Sequence, residues 1–160
     1  MFGLFKNNKS IILYSICNGK SISLDSVPDI TFSKRLVGDG VAFEFDGDTI
    51  YSPCDGEIIM IASTNHAVGI KAANGAEILI HCGMETVNLK GNGLNVLVNL
   101  HTKVKHGTPI LKIDRTLMNE RNINLITPVL LTNRDLYNIE CEEITNNVCL
   151  DTKVATVSKK

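Results

Sequence analysis

The sequence predicts an all-β domain: an antiparallel β-sandwich or barrel-sandwich, with a duplicated motif and a few short helical turns. Three observations predict it. Apolar runs are short and end in turn residues, extended helical periodicity is scarce, and a turn-then-strand motif occurs twice.

In chain order, residues 1–10 (MFGLFKNNKS) read as a flexible polar leader whose few apolar side chains give at most weak membrane contact. Residues 11–160 read as one domain, since no linker or charge block divides them. The strand-like runs are 10–14, 41–45, 57–61, 67–70, 77–80, 110–113 and 129–131, each bounded by Gly, Asn, Asp or Pro. Gly93–Leu100 and Arg115–Arg121 are the best helical stretches, each one or two turns long. The repeated motif is Tyr14-Ser-Ile-Cys-Asn-Gly-Lys-Ser-Ile22 against Tyr51-Ser-Pro-Cys-Asp-Gly-Glu-Ile-Ile59, which suggests two pseudo-symmetric halves.

Composition removes several function classes. With a net charge of −1, 5% aromatic residues and no Trp, the chain lacks both the basic face and the stacking platforms of nucleic-acid readers. Its five cysteines form no Cys-x-x-Cys pair and read as free thiols in a reducing cytoplasm. No apolar run approaches the ~20 residues of a membrane span. The opening Met1-Phe-Gly-Leu-Phe-Lys turns polar too soon for a signal peptide. A cytoplasmic protein is expected.

The chemistry concentrates between Thr64 and Val87. Asn74-Gly75 between two strand-like runs predicts a tight two-residue turn, with positive φ at both central positions. Counting outward from Ala73 opposite Ala76, Val68 faces His81 and His66 faces Gly83. Both histidines then share a face with Val68, Ile70 and Leu79, their Cβ atoms roughly 5–8 Å apart. An odd-numbered loop would place them on opposite faces. Cys82 alternates away into a core with Ile78 and Ile80, which argues against a thiol nucleophile. Two neutral imidazoles on an apolar face suit phosphoryl transfer: one takes the group on Nε2, and the other donates a hydrogen bond to its oxygens. His101 and His106 stand in a Lys-rich turn and read as exposed.

At this point the sequence resembles the glucose-family enzyme IIA domain of the phosphoenolpyruvate-dependent sugar phosphotransferase system. The likeness rests on Gly75-Ala-Glu-Ile-Leu-Ile-His81-Cys-Gly-Met-Glu-Thr-Val87 and on Thr64-Asn-His66 upstream. It continues through Val27–Phe32, Leu36–Ala42, Ser52–Gly56, Val104–Gly107 and Ile126–Asn133. The resemblance implies an antiparallel β-sandwich on a duplicated motif, with His81 as the phosphorylated residue. It implies that the Gly83 backbone carbonyl holds His81 Nδ1–H, that His66 stabilises the phosphoryl group, and that Thr64 orients His66. Asp29 and Glu85 would meet basic residues of partners, while Phe32, Val37 and Val87 would form an apolar docking surface. The implied donor is the phosphocarrier HPr, and the implied acceptor is a cysteine on the enzyme IIB domain of a sugar permease. Regulatory protein targets are implied for some members. No cofactor is implied for the chain alone; a zinc ion on His66 and His81 would need a partner's carboxylate. Cys82, Glu85, Ala62, Val68 and Leu79 depart from common family residues, the last three making the docking face less aromatic.

Two rivals stand against this reading. A LytM-like zinc hydrolase needs a third metal ligand, which neither His66-Ala-Val-Gly-Ile nor His81-Cys-Gly supplies. A biotin- or lipoyl-type carrier lacks its lysine at a hairpin tip. The alternative kept is a non-catalytic regulatory binding protein on the same fold.

Overall fold

Runs of β-branched and apolar residues between turn residues become strands where alternation can bury at least one face. The computed structural model describes residues 9–160. Its strands are β1 (Ser10–Tyr14), β2 (Gly19–Ser23), β3 (Asp39–Phe45), β4 (Thr49–Tyr51), β5 (Gly56–Ile61), β6 (Ala67–Ala72) and β7 (Glu77–His81). They continue as β8 (Leu94–Val96), β9 (Lys103–Val104), β10 (Pro109–Ile113), β11 (Thr127–Leu131), β12 (Tyr137–Cys141) and β13 (Lys153–Lys159). The helices are α1 (Ile30–Ser33) and α2 (Arg115–Glu120), with 3-10 turns at Leu24–Ser26 and Thr86–Leu89. Every ladder between these strands is antiparallel, in sheets ordered β1-β13-β12, β4-β10-β8 and β2-β3-β11-β7-β6-β5-β9. The all-β antiparallel architecture is the one expected.

The seven-stranded sheet is apolar on both faces at its centre. One face sends Val41, Phe43, Val129, Leu131, Ile78 and Ile80 into a core shared with the other two sheets. The opposite face carries Ala42, Leu130 and Leu79 under a smaller lid of Leu24, Val27, Phe32 and Met84. That lid, formed by the first 3-10 turn, α1 and the residue after Gly83, is what flanks the histidines.

The expected helix over Gly93–Leu100 is replaced by β8. Leu94, Asn95 and Val96 alternate buried, exposed and half-buried, and pair with Ile113, Lys112 and Leu111. Gly91 and Gly93 both carry positive φ, which no helix interior uses. The helix expected at Arg115–Arg121 is present as α2, capped by the Asp114 carboxylate, which accepts from Leu117 N–H. The first eight residues of the leader fall outside the described residues, while Ser10 already belongs to β1 and pairs with Ser158.

The repeated motif is a structural pair. Tyr14 N–H donates to the Pro53 carbonyl and Tyr51 N–H to the Ile16 carbonyl, both at 2.9 Å. In each copy the fully buried serine, Ser15 or Ser52, donates to the carbonyl two residues on at 2.7 Å. A second pair of segments repeats the symmetry. Val104 lies opposite Gly56 and Val148 opposite Gly19. Thr108 and Thr152 then hand their carbonyls to Ser52 N–H and Ser15 N–H. His106 sits in this junction rather than in solvent, stacked on Tyr14 at 4.0 Å with Nε2–H donating to the Leu150 carbonyl.

Candidate active site

Three residues, not two, form the loop between Ala72 and Ala76, which face each other across the hairpin. Ala72 N–H donates to the Ala76 carbonyl, and Gly75 alone of the turn residues has positive φ, at 93°. This is a type I turn followed by a left-handed glycine, the common three-residue hairpin. Asn74 is held in it by the β1-β13-β12 sheet and the residue before β1: its amide donates to the Lys9 and Val157 carbonyls, and its backbone carbonyl accepts from Tyr137 O–H. The register is therefore one residue off the expected one. His81 lies opposite Ala67, Val68 opposite Ile80, and Cys82 N–H donates to the His66 carbonyl.

That odd loop overturns the alternation argument for the two histidines. Val68 and Ile70 belong to the inner core with Ile78, Ile80 and Cys82, not to the histidine face. Val68 consequently takes no part in any docking surface. The histidines meet all the same, because His66 is a loop residue. The Ala62–Ala67 hairpin end places Asn65 at φ 60°, and β6 begins only at Ala67. The His66 and His81 ring centroids are 4.9 Å apart, edge to face.

His81 ends β7 and is half-buried. Its Nδ1–H donates to the Gly83 carbonyl at 2.9 Å, which leaves Nε2 with the lone pair. Gly83 turns its carbonyl back at φ 75°, and a Cβ there would stand 2.7 Å from Thr86 Cγ2 and 2.9 Å from the Asn124 carbonyl. The buried Thr86 hydroxyl donates to the Cys82 carbonyl, and Met84 N–H donates to that of Asn124. Sequence reasoning gave Thr86 and Asn124 no role; the Thr in the signature was the available signal.

Thr64 Oγ1 lies 2.5 Å from His66 Nδ1. A donating hydroxyl puts the neutral ring's proton on Nε2. Phe32 packs its ring against His81 at 4.8 Å and is only 5% exposed. It supports the histidine from beneath and offers little surface to a partner. The exposed apolar side chains on and after α1 are Ile30, Leu36 and Val37, and Val87 is exposed after Glu85. Asp29 caps α1 through Thr31 N–H at 2.9 Å, while Glu85 is exposed in the left-handed region.

Burial lowers the pKa of both imidazoles below the usual value. In His81, desolvation acts first and His66 adds to it, while the Gly83 hydrogen bond and the Asp29 charge pull the other way. Both rings are therefore held neutral at pH 7. The Cys82 thiol, buried in the core, is pushed up to about 12 and is inert. Among the described residues no three His, Cys, Asp or Glu side chains cluster as metal ligands, and no helix is long and apolar enough to cross a membrane.

Residues 11–137 match the family model for the phosphoenolpyruvate-dependent sugar phosphotransferase system, EIIA 1. A glucose-specific EIIA component from Bacillus cereus is 39% identical over 135 residues, 84% of this chain and 82% of that one. A glucoside-specific EIICBA component from Staphylococcus carnosus is 37% identical over 129 residues, 81% of this chain but 19% of that longer protein. The solved structure of glucose permease IIA from Mycoplasma capricolum superposes with a TM-score of 0.85 at 30% identity, covering 92% of this chain and 96% of that one. With the match running through the signature turn and most of the sandwich, the chain belongs to the EIIA 1 family of the phosphoenolpyruvate-dependent sugar phosphotransferase system.

Proposed function

We propose that the chain is a phosphocarrier that takes a phosphoryl group from phosphorylated HPr onto His81 Nε2. It then passes the group to the cysteine of an enzyme IIB domain during sugar uptake. One observation carries the assignment of the atom: the Nδ1–H bond to Gly83 leaves Nε2 as the nucleophilic nitrogen of a neutral ring. In acceptance, the P–Nε2 bond forms as the bond to the donor breaks. The ring becomes cationic, and the Gly83 carbonyl and the Asp29 carboxylate compensate that charge. In donation, the acceptor thiolate attacks phosphorus and His81 leaves as the neutral imidazole. His66 supports both steps by donating Nε2–H to a phosphoryl oxygen, with Thr64 fixing its tautomer.

Partner recognition follows from the rim. Asp29 and Glu85 offer carboxylates to basic residues, and Val37 and Val87, with Ile30 and Leu36, offer apolar area around them. The EIICBA relative has IIB in its printed name, which supports a IIB partner here. Such an exchange runs on the cytoplasmic face of the membrane, and the permease rather than this chain selects the sugar.

The test is incubation of the purified chain with labelled phosphoenolpyruvate, enzyme I and HPr. The expected product is an acid-labile, alkali-stable phosphate on His81, absent from His81→Ala. No label from active components would overturn the carrier reading and favour a regulatory binding protein.

A further inference from the structure

The β6–β7 register runs opposite to what the histidine pair needs. Extended one step, it sets His66 opposite Cys82, whose side chain lies fully inside the core. A His66 in regular strand conformation would point there too, because residues directly opposite in an antiparallel pair share a face. Its ring instead stands beside His81, on the other face. Some feature must break the alternation immediately before β6, and Asn65 carries it.

We infer that Asn65 is a positioning residue that turns His66 out of the core and onto His81. Its backbone lies in the left-handed region, φ 60°, which asparagine tolerates better than other residues except glycine. Its N–H closes the turn on the Ala62 carbonyl at 2.8 Å. Its side-chain amide donates across to the Leu94 carbonyl at 3.2 Å. Leu94 is buried in the main core and opens β8, so the turn bearing His66 is tied to the opposite sheet. Gly91, at φ 88°, turns the 90–94 loop alongside the amide, its Cβ position 3.6 Å from Asn65 Nδ2. Thr64 then fixes the ring's tautomer, while Asn65 fixes the side of the sheet on which the ring stands.

The inference rests on the phosphocarrier reading only for its effect on transfer; ring placement is measured independently. Asn65→Val disfavours positive φ and removes the amide, whereas Asn65→Gly keeps the backbone and removes only the anchor. The NMR readout is the Overhauser effect between the His66 and His81 rings, expected to vanish in Asn65→Val and to persist in Asn65→Gly. With the His66 ring displaced, transfer from His81 to the IIB thiol falls about tenfold to a hundredfold in Asn65→Val, and Asn65→Gly recovers most of it. If Asn65→Val does not fold, Asn65→Ala carries the same contrast with glycine. An unchanged Overhauser effect in the valine or alanine variant would overturn the inference. A displaced His66 ring with transfer intact would uphold the placement by Asn65 and count against the role given to His66.

Discussion

His81 does its proposed work because three neighbours act on one ring. Phe32 and the sheet remove it from water, Gly83 fixes its proton on Nδ1, and His66 stands at its edge. The folded chain therefore prefers both imidazoles neutral. Above the ordinary value of 6.5, folded and unfolded rings are alike uncharged, and this contribution to stability does not change with pH. As pH falls below 6.5, the unfolded chain takes up protons first and stability is lost until the folded rings titrate. Urea midpoints measured at about pH 7.5 and about pH 5.5 should fall less in His81→Gln than in the parent. An equal fall would mean that His81 is not held neutral. The identity of both histidines was legible from sequence, but their juxtaposition was not. Counting out from Asn74-Gly75 reached the right neighbours through a register the molecule does not use. The side-chain bonds from Asn74 to the Lys9 and Val157 carbonyls, which accompany the longer loop, join positions far apart in sequence.

At the scale of elements, the turn from Cys82 to Leu89 converts strand into site. Its left-handed Gly83 and Glu85 and the Thr86 hydrogen bond hold one carbonyl at one ring nitrogen. Gly83→Ala should cost about 1–2 kcal/mol in backbone conformation alone, with crowding against Thr86 and Asn124 in addition. Thr86→Val removes the donor to a buried carbonyl and should cost about 1–3 kcal/mol. Both are checked by denaturant unfolding, and nitrogen NMR should show a mixed His81 tautomer in Gly83→Ala. Phe32→Ala should lose about 3–5 kcal/mol and open the floor beneath His81. Alternation along β3, β7 and β11 was readable as strand, yet the second, outer core was not. Its lid comes from a four-residue helix and a 3-10 turn, too short to carry a periodicity.

For the whole molecule, the duplicated motif supplies the frame. The two Tyr-Ser-x-Cys segments exchange backbone hydrogen bonds, and each is flanked in the same way by one Val-x-x-x-Thr segment. Ser15→Ala and Ser52→Ala should each cost about 1–3 kcal/mol, since each leaves a buried carbonyl without its donor. The two turns are joined directly by the Tyr14–Pro53 and Tyr51–Ile16 backbone bonds, so the double variant should depart from additivity by about 0.5 kcal/mol or more in thermal or urea unfolding. Strict additivity would show the halves to be independent. The first pair of segments was visible as a sequence echo. The second shares only a valine and a threonine, and its likeness emerges from which carbonyl each threonine presents.

The bond from His81 to Gly83 also has an immunochemical consequence. With Nδ1 committed, the chain under turnover should carry the 3-phospho isomer of histidine alone. Antibodies selective for that isomer should detect it, and antibodies raised against 1-phosphohistidine should pass over it. In Gly83→Ala, where the carbonyl no longer holds Nδ1, the second class of antibody should begin to bind.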